Sequence, residues 1–178
     1  MSECPKNLTE AGVLVPVYRA ADGFPTLVLV RRVEGGPHGG QIALPGGKRI
    51  PSDASMAETA LRESREEIGL DARNVEILEA LPVMETRTTG FRIYPFLARI
   101  VRPARWQMDR LEIAEILEVP VVELARPEAW GEETRSFGSH PEPQLVRFFH
   151  VKTHKLWGAT YRILEPLIPR LVRQEWPL

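Results

Sequence analysis

The stretch from which the rest of the chain is read is Pro51-Ser52-Asp53-Ala54-Ser55-Met56-Ala57-Glu58-Thr59-Ala60-Leu61-Arg62-Glu63-Ser64-Arg65-Glu66-Glu67-Ile68-Gly69-Leu70. Ser55 followed three residues later by Glu58 is a capping-box pattern, and Gly69 suits the left-handed position that closes a helix, so both ends of a helix are marked. At 100° per residue, Ala57, Ala60, Leu61, Ser64 and Ile68 share a face, which predicts the inward side. Glu63, Glu66 and Glu67 stand at i, i+3 and i+4, so their carboxylates converge on a neighbouring face. Three carboxylates so placed repel one another unless a cation lies among them. A hard, oxygen-seeking ion answers that need: magnesium accepts carboxylates and waters in an octahedron and leaves positions for phosphate oxygens. The alternative is a solvated face on which Arg62 and Arg65 offset the charge through i, i+4 pairs.

Working outward, Leu44-Pro45-Gly46-Gly47 brings bare backbone toward the helix start, where amides and carbonyls can meet phosphate or metal. Before it, the glycine-rich loop at residues 35–40 leads into a short apolar piece at residues 41–44. Residues 11–18 and 26–32 are rich in Val and Leu, are separated by Ala20-Ala21-Asp22-Gly23, and read as paired strands, with Pro16 placing the first near an edge or bulge. Beyond the helix, strands are predicted at residues 75–81 and 91–101, with Thr88-Thr89-Gly90 as the turn between them. Residues 111–124 read as a strand around 116–119 and then a short helix. Residues 127–143 read as loop by composition. The tail, residues 157–172, has the apolar spacing of a helix despite Pro166 and Pro169.

The composition bounds the function classes. The chain of 178 residues is 43% hydrophobic and 26% charged, which suits one globular domain spanning residues 1–178 and excludes whole-chain disorder. With 23 Lys+Arg against 24 Asp+Glu the net charge is −1, and no basic run gives the electrostatic footprint of a nucleic-acid binder. The single cysteine, Cys4, offers no intramolecular disulfide or cysteine zinc site. No apolar stretch approaches the ~20 residues of a membrane span, and the start lacks a signal-peptide core, so a cytoplasmic protein without a membrane partner is expected.

The residues then spell a family. Gly47, five residues, Asp53, eight residues, and Arg62-Glu63-Ser64-Arg65-Glu66-Glu67-Ile68-Gly69-Leu70 resemble the signature of the Nudix hydrolases, G-x5-E-x7-R-E-U-x-E-E-x-G-U with U bulky and apolar, which places the box at about residues 47–70. Asp53 stands where Glu is usual, with one extra residue after it, and Ser64 replaces the apolar U. Flanking pieces are similar to the coenzyme A pyrophosphatase branch: Val30-Arg31-Arg32, the run from His38 to Arg49, Thr88-Thr89-Gly90-Phe91 and Leu156-Trp157-Gly158-Ala159-Thr160, although Ile50 stands where that branch commonly has an acidic residue.

The resemblance implies an α/β fold, an α/β/α sandwich with a mixed β-sheet between helices, and a reaction in which water attacks one phosphorus of a nucleoside diphosphate linked to X. It implies a metal site of Gly47 (through its carbonyl), Glu63, Glu66 and Glu67, holding Mg2+ or Mn2+. It gives a catalytic set of Glu63, Glu66 and Arg62, in which Arg62 mainly ties loop to helix. One of the glutamates, or a later acid such as Glu112 or Glu115, takes the proton of the attacking water. Arg31, Arg32, His38, Lys48 and Arg49 are the candidate substrate contacts. Trp157 reads as a core anchor, with base stacking as the alternative. The favoured substrate is coenzyme A or an acyl derivative, giving 3′,5′-ADP and 4′-phosphopantetheine. ADP-ribose or another nucleotide diphosphate, and a nucleotide sensor without catalysis, are the alternatives. A small-molecule nucleotide is the expected partner, with a homodimer left open.

Overall fold

The computed structural model describes residues 8–35, 38–86, 89–137 and 142–178; Cys4 and Thr88 lie outside them. The chain runs β1 (Thr9–Arg19), β2 (Pro25–Arg32), β3 (Ile42–Ala43), β4 (Gly46–Lys48), α1 (Met56–Ile68), β5 (Val75–Ala80), β6 (Met84–Glu85), β7 (Phe91–Ile100), β8 (Ile113–Pro120), α2 (Val121–Leu124), β9 (Trp130–Arg135), β10 (Gln144–Val151), β11 (His154–Trp157), α3 (Gly158–Leu164) and α4 (Ile168–Val172). The first eight strands form one mixed sheet, in which β1 and β7 run parallel and the other pairs are antiparallel.

The sheet forks, and the fork positions the site. Strand β1 pairs with β4 at residues 11–13 but with β2 at residues 17–19, so the β3–β4 segment wedges between the two long strands. The Leu14 amide donates to the Pro45 carbonyl at 2.9 Å inside the fork. Pro16 therefore lies in a central strand and not at an edge as its sequence suggested. By strand parity its nitrogen faces the same side as that of Leu14, where β1 changes partners and no ladder bond is required.

Alternation divides the strand residues between two faces. Leu14, Val28, Val30, Ala98 and Ile100 pack with Ala60 and Ile68 of α1 on one side. Val15, Val17, Leu27, Leu29 and Leu97 pack on the other side with Phe149, Leu156, Leu164 and Ile168. The sheet is thus layered between α1 and a second wall. That wall corrects two expectations. Residues 127–143, expected to be loop, include β9, which joins β10 and β11 in a separate three-stranded sheet. The expected single tail helix is two short ones, α3 and α4, because Pro166 and Pro169 interrupt the register. The strand and short helix expected within residues 111–124 form as β8 and α2.

Helix α1 is capped as its sequence demands. Ser55 accepts from the Glu58 amide at 3.1 Å, while the Glu58 carboxylate accepts from the Ala54 amide at 2.7 Å. Gly69 has φ 70°, and its amide donates to the Arg65 carbonyl at 3.0 Å. The buried stripe, however, is Thr59, Ala60, Ser64, Glu67 and Ile68, with Ala57 and Leu61 only half-buried. Gly12 accounts for this seating: a Cβ there would lie 2.4 Å from the Met56 carbonyl oxygen and 2.9 Å from the Ala60 nitrogen, so helix and strand meet backbone to backbone. The resulting rotation carries Glu67 inside.

Candidate active site

Arg62 is the hub that joins loop and helix. Its Nε donates to Asp53 Oδ1 at 2.9 Å and its Nη2 to Asp53 Oδ2 at 3.1 Å, a fork-on-fork pair, and Nη2 also reaches the Lys48 carbonyl at 2.9 Å. Asp53 is buried, and its Oδ2 further accepts from the Ile50 amide at 3.0 Å and the Thr59 hydroxyl at 2.9 Å. The Arg62 hydrogen bonds outweigh burial and, with those of Ile50 and Thr59, hold this carboxyl well below the usual range. The shorter acid at this place and the extra residue after it thus leave Arg62 fully engaged.

From the hub, Nη1 of Arg62 reaches Glu63 at 2.8 Å and Glu66 at 3.0 Å. Glu63 abuts Gly47, where a Cβ would stand 2.4 Å from the Glu63 carboxylate, so only glycine leaves room for that group. Glu67 is buried, with one oxygen accepting from the Gly46 amide at 2.9 Å and the other 3.4 Å from Arg32. Burial pushes the Glu67 carboxyl up to about 7; the Gly46 amide and Arg32 oppose the rise, while Glu63 and Glu112 add to it. Glu63 is also raised, again chiefly by burial.

These carboxylates open on a cleft of about 1180 Å³ whose lining includes Arg32, His38, Gly46, Gly47, Lys48, Glu63, Glu67 and Glu112. Its floor is sheet, with Ala11 and Val13 of β1 beside Ile93 and Phe91 of β7, and its far wall is made by Phe137, Trp157, Ala159 and Ile163.

The structure sorts the predicted residues. Gly47, Glu63 and Glu67 come together at the cleft, as do Arg32, His38 and Lys48. Glu66 is exposed and lies outside the cleft lining, yet it shares Nη1 of Arg62 with Glu63, so it borders the Glu63–Glu67 pair from the solvent side. The cause is the rotation of α1, which buries Glu67 while leaving Glu66 toward solvent. Arg31 and Arg49 also lie off the cleft, in ion pairs with Glu34 and Glu115, and with Glu10. Of the later acids, Glu112 reaches the cleft and pairs with Arg32 at 3.3 Å, whereas Glu115 is taken by Lys152 at 3.1 Å and Arg31 at 3.5 Å. Trp157 lines the cleft with the Arg135 guanidinium 4.5 Å from its ring centroid, so it is a wall residue and not a buried anchor. Arg162 of α3, which lines the cleft near Thr86 and Thr89, was not legible from sequence because nothing local to a tail helix signals which strand it faces.

The donors present fit a hard divalent cation. Among the described residues no three His, Cys, Asp or Glu side chains stand together as a ready protein cage. Magnesium does not ask for one: it keeps several waters and takes one or two carboxylates plus phosphate oxygens. Glu63 and Glu67, one helical turn apart, both raised and mutually repulsive, with the Gly46–Gly47 backbone beside them, are such an all-oxygen set.

A carboxylate-lined cleft with cations beside it, on a mixed sheet between α1 and a second wall, defines the class: a hydrolase fold arranged around phosphate-bearing substrates. The family follows. A family model described as NUDIX domain matches residues 8–139, and this chain belongs to the Nudix family, whose members hydrolyse pyrophosphate bonds and generally use divalent metal ions. It is 32% identical over 164 residues to the Nudix hydrolase NudL of Yersinia enterocolitica, covering 90% of this chain and 80% of that protein. It is 38% identical over 115 residues to NudL of Pectobacterium atrosepticum, covering 64% of this chain but only 58% of that protein. Among solved structures, the MutT protein of Methanosarcina mazei superposes with a TM-score of 0.59 at 18% identity over 98% of this chain and 100% of that one. The NUDIX domain of Shewanella oneidensis NrtR, solved in complex with ADP ribose, gives 0.52 at 19% identity, covering 67% and 77%. Both likenesses bear on the fold alone. No helix among the described residues is long and apolar enough to cross a membrane.

Proposed function

We propose that this protein is a magnesium-dependent pyrophosphohydrolase of coenzyme A or its acyl derivatives, cutting within the diphosphate to give 3′,5′-ADP and 4′-phosphopantetheine. The observation that carries the reading is the cleft itself. A diphosphate needs only the end bounded by Glu63, Glu67, Gly47 and Arg32, yet the cavity continues over Val13, Phe91 and Ile93 and beneath Ala159 and Ile163, an apolar trough suited to a long, largely uncharged arm. The sequence pieces flanking the box point the same way.

A divalent cation bound here would neutralise charge on the diphosphate and acidify water. Glu63 and Glu67 would hold it together with the Gly47 carbonyl, with Glu66 beside Glu63 as the further carboxylate of the box. Arg62 fixes the Glu63 rotamer through its 2.8 Å contact, so that the carboxylate is oriented before substrate arrives. Glu112, at the cleft and largely in water, accepts the proton of the attacking water. Arg32, which lies between Glu67 and Glu112, is within reach of the diphosphate oxygens.

The test is a panel of coenzyme A, acetyl-coenzyme A, ADP-ribose and diadenosine tetraphosphate assayed with Mg2+ or Mn2+ and with product identification. Release of 3′,5′-ADP and 4′-phosphopantetheine at the highest kcat/KM supports the assignment. Clearly better turnover of ADP-ribose overturns it in favour of a general nucleotide diphosphate hydrolase, and nucleotide binding without turnover overturns it in favour of a sensor.

A further inference from the structure

Three cations with ordered partners or neighbours line the cleft, and their charge balance differs. Arg32 is compensated twice, by Glu67 and Glu112. Lys48 and Arg162 make no ion pair among the described residues. Both are attached instead to the same place, where β6 meets β7. The Lys48 ammonium sits 5.7 Å from the centroid of the Phe91 ring, and Arg162 Nη1 donates to the Glu85 carbonyl at 3.3 Å. Glu85 and Arg92 are paired across the two strands, and the Thr86 amide donates to the Phe91 carbonyl at 2.8 Å, which fixes this corner. Lys48 shares a row of the sheet with Ala11 and Ile93, so its side chain crosses the cleft floor toward β7, while Arg162 comes down from α3 on the opposite wall.

We propose that Lys48 and Arg162 together form an anion subsite at the β7 side of the cleft, which receives a phosphate monoester carried by the substrate outside the diphosphate that is cleaved. The scissile diphosphate belongs with the carboxylates and their cation, where Arg32 already stands. A second pair of positive charges, without an ion-pair partner among the described residues and borne on two different walls, has no work to do on a substrate whose only phosphates are those two. It matches a substrate with a further dianionic group, which the two cations grip from opposite sides. The inference rests on the function proposed above, whose substrate carries such a monoester. Of the candidate contacts it assigns Lys48 to the monoester and adds Arg162 to it, leaving Arg32 to the diphosphate, with Arg31 and Arg49 drawn away into other ion pairs.

The experiment compares coenzyme A with dephospho-coenzyme A as substrates, and 3′,5′-ADP with 5′-AMP as ligands by calorimetry in the absence of turnover. It uses the unmutated protein, a Lys48→Met/Arg162→Met double variant and Arg162→Lys. Both side chains are exposed and the Lys48 carbonyl that holds Arg62 is retained, and thermal melting verifies that each variant is folded. Expected in the unmutated protein is a kcat/KM ratio favouring coenzyme A by about tenfold or more, with 3′,5′-ADP bound tighter than 5′-AMP by a similar factor. Both ratios should fall toward one in the double variant, and Arg162→Lys, which keeps the charge, should retain most of each. Equal kinetics on the two substrates in the unmutated protein, or equal losses on both substrates in the double variant, overturn the subsite. If neither coenzyme is hydrolysed while another nucleoside diphosphate is, the proposed function fails, and the ratio of 3′,5′-ADP to 5′-AMP binding still decides the subsite.

Discussion

Replacing Asp53 with Asn tests the hub from which the site is built. The side chain is nearly isosteric, but one of its two oxygens becomes an NH2 group facing donors, of which only the Thr59 hydroxyl could turn to accept. In one orientation it confronts Arg62 Nε; in the other it confronts Arg62 Nη2, the Ile50 amide and the Thr59 hydroxyl. The side chains of Asp53 and Arg62 are 5% and 23% exposed, so solvent screens the pair only in part. Breaking a buried pair of this kind costs about 3–5 kcal/mol. Because Asn keeps some hydrogen bonds, the lower end applies, and at ~2–4 °C per kcal/mol for a chain of this size Tm should fall by roughly 6–12 °C. The perturbation also reaches the chemistry, since Arg62 released from Asp53 no longer fixes Glu63; kcat should drop by about tenfold or more on a pyrophosphate substrate, with a smaller change in KM. The pH dependence gives an independent reading. The Asp53 carboxyl is held below its ordinary value in the folded state, so its contribution is fully present above the unfolded value near pH 3.8 and is lost as pH falls through the folded one. The Tm gap between the two proteins should therefore be widest at neutral pH and close in strong acid. A variant with Tm within about 2 °C of the parent at pH 7 and unchanged kcat would refute the role given to this pair.

Three further outcomes follow from the same geometry. Chelation should abolish turnover while leaving the fold intact, and saturating Mg2+ should raise Tm above that of the chelated protein by relieving the repulsion between Glu63 and Glu67; activity surviving chelation would contradict the metal mechanism. Glu67→Gln should lower kcat by about two orders of magnitude, as for other losses of transition-state charge stabilisation, yet raise metal-free stability. Because the Glu67 carboxyl is raised from 4.5 to about 7, the folded protein binds the extra proton in between, so metal-free stability should decline from pH 4.5 to pH 7, and urea titrations of the Gln variant should lack that decline. Ser64→Ala should leave stability within about 0.5 kcal/mol, because the lost hydroxyl only doubles up on the Ala60 carbonyl at 2.7 Å and the change favours the helix; a large loss in chemical denaturation would mean that the hydroxyl has a packing role not visible in its contacts.

What the sequence made legible was what depends on short-range chemistry. The helix and both its caps could be read because each cap acts within four residues of its own position, Ser55 with Glu58 at one end and Gly69 with Arg65 at the other, and the strand pair around residues 11–32 because Val and Leu cluster on either side of a turn. The rotation of α1 could not be read. It is set by Gly12, more than forty residues away, where the absence of a Cβ decides which helical stripe meets the sheet and so separates buried Glu67 from exposed Glu66. The Pro16 expectation failed for a related reason. Proline is excluded from the middle of an ordinary ladder, and only the fork, a long-range feature, leaves its side of β1 without a required donor.

The second wall shows most clearly why substrate specificity is harder to read than the metal site. Strand β9, Trp130-Gly131-Glu132-Glu133-Thr134-Arg135, alternates by exposure but not by polarity, because its half-buried positions are filled by Glu133 and Arg135, which pair with each other and, for Glu133, with Lys155 of β11. Charge balance across strands replaces an apolar stripe, so the usual period-2 signal is silent. What holds β9 in place is long-range: Gly131 lies opposite Phe148, and a Cβ at that glycine would stand 2.5 Å from the ring, so an aromatic residue covers a glycine across the strand pair. That small sheet, through β11, carries Trp157 to the cleft and sets the start of α3, and α3 in turn delivers Arg162. The box residues come from one loop and one helix whose spacing is fixed by covalent geometry, whereas the wall that faces the rest of the substrate depends on pairings among segments up to two dozen residues apart. Exchanging wall residues should therefore change which X is accepted, while leaving the metal dependence expected of the box residues unaltered.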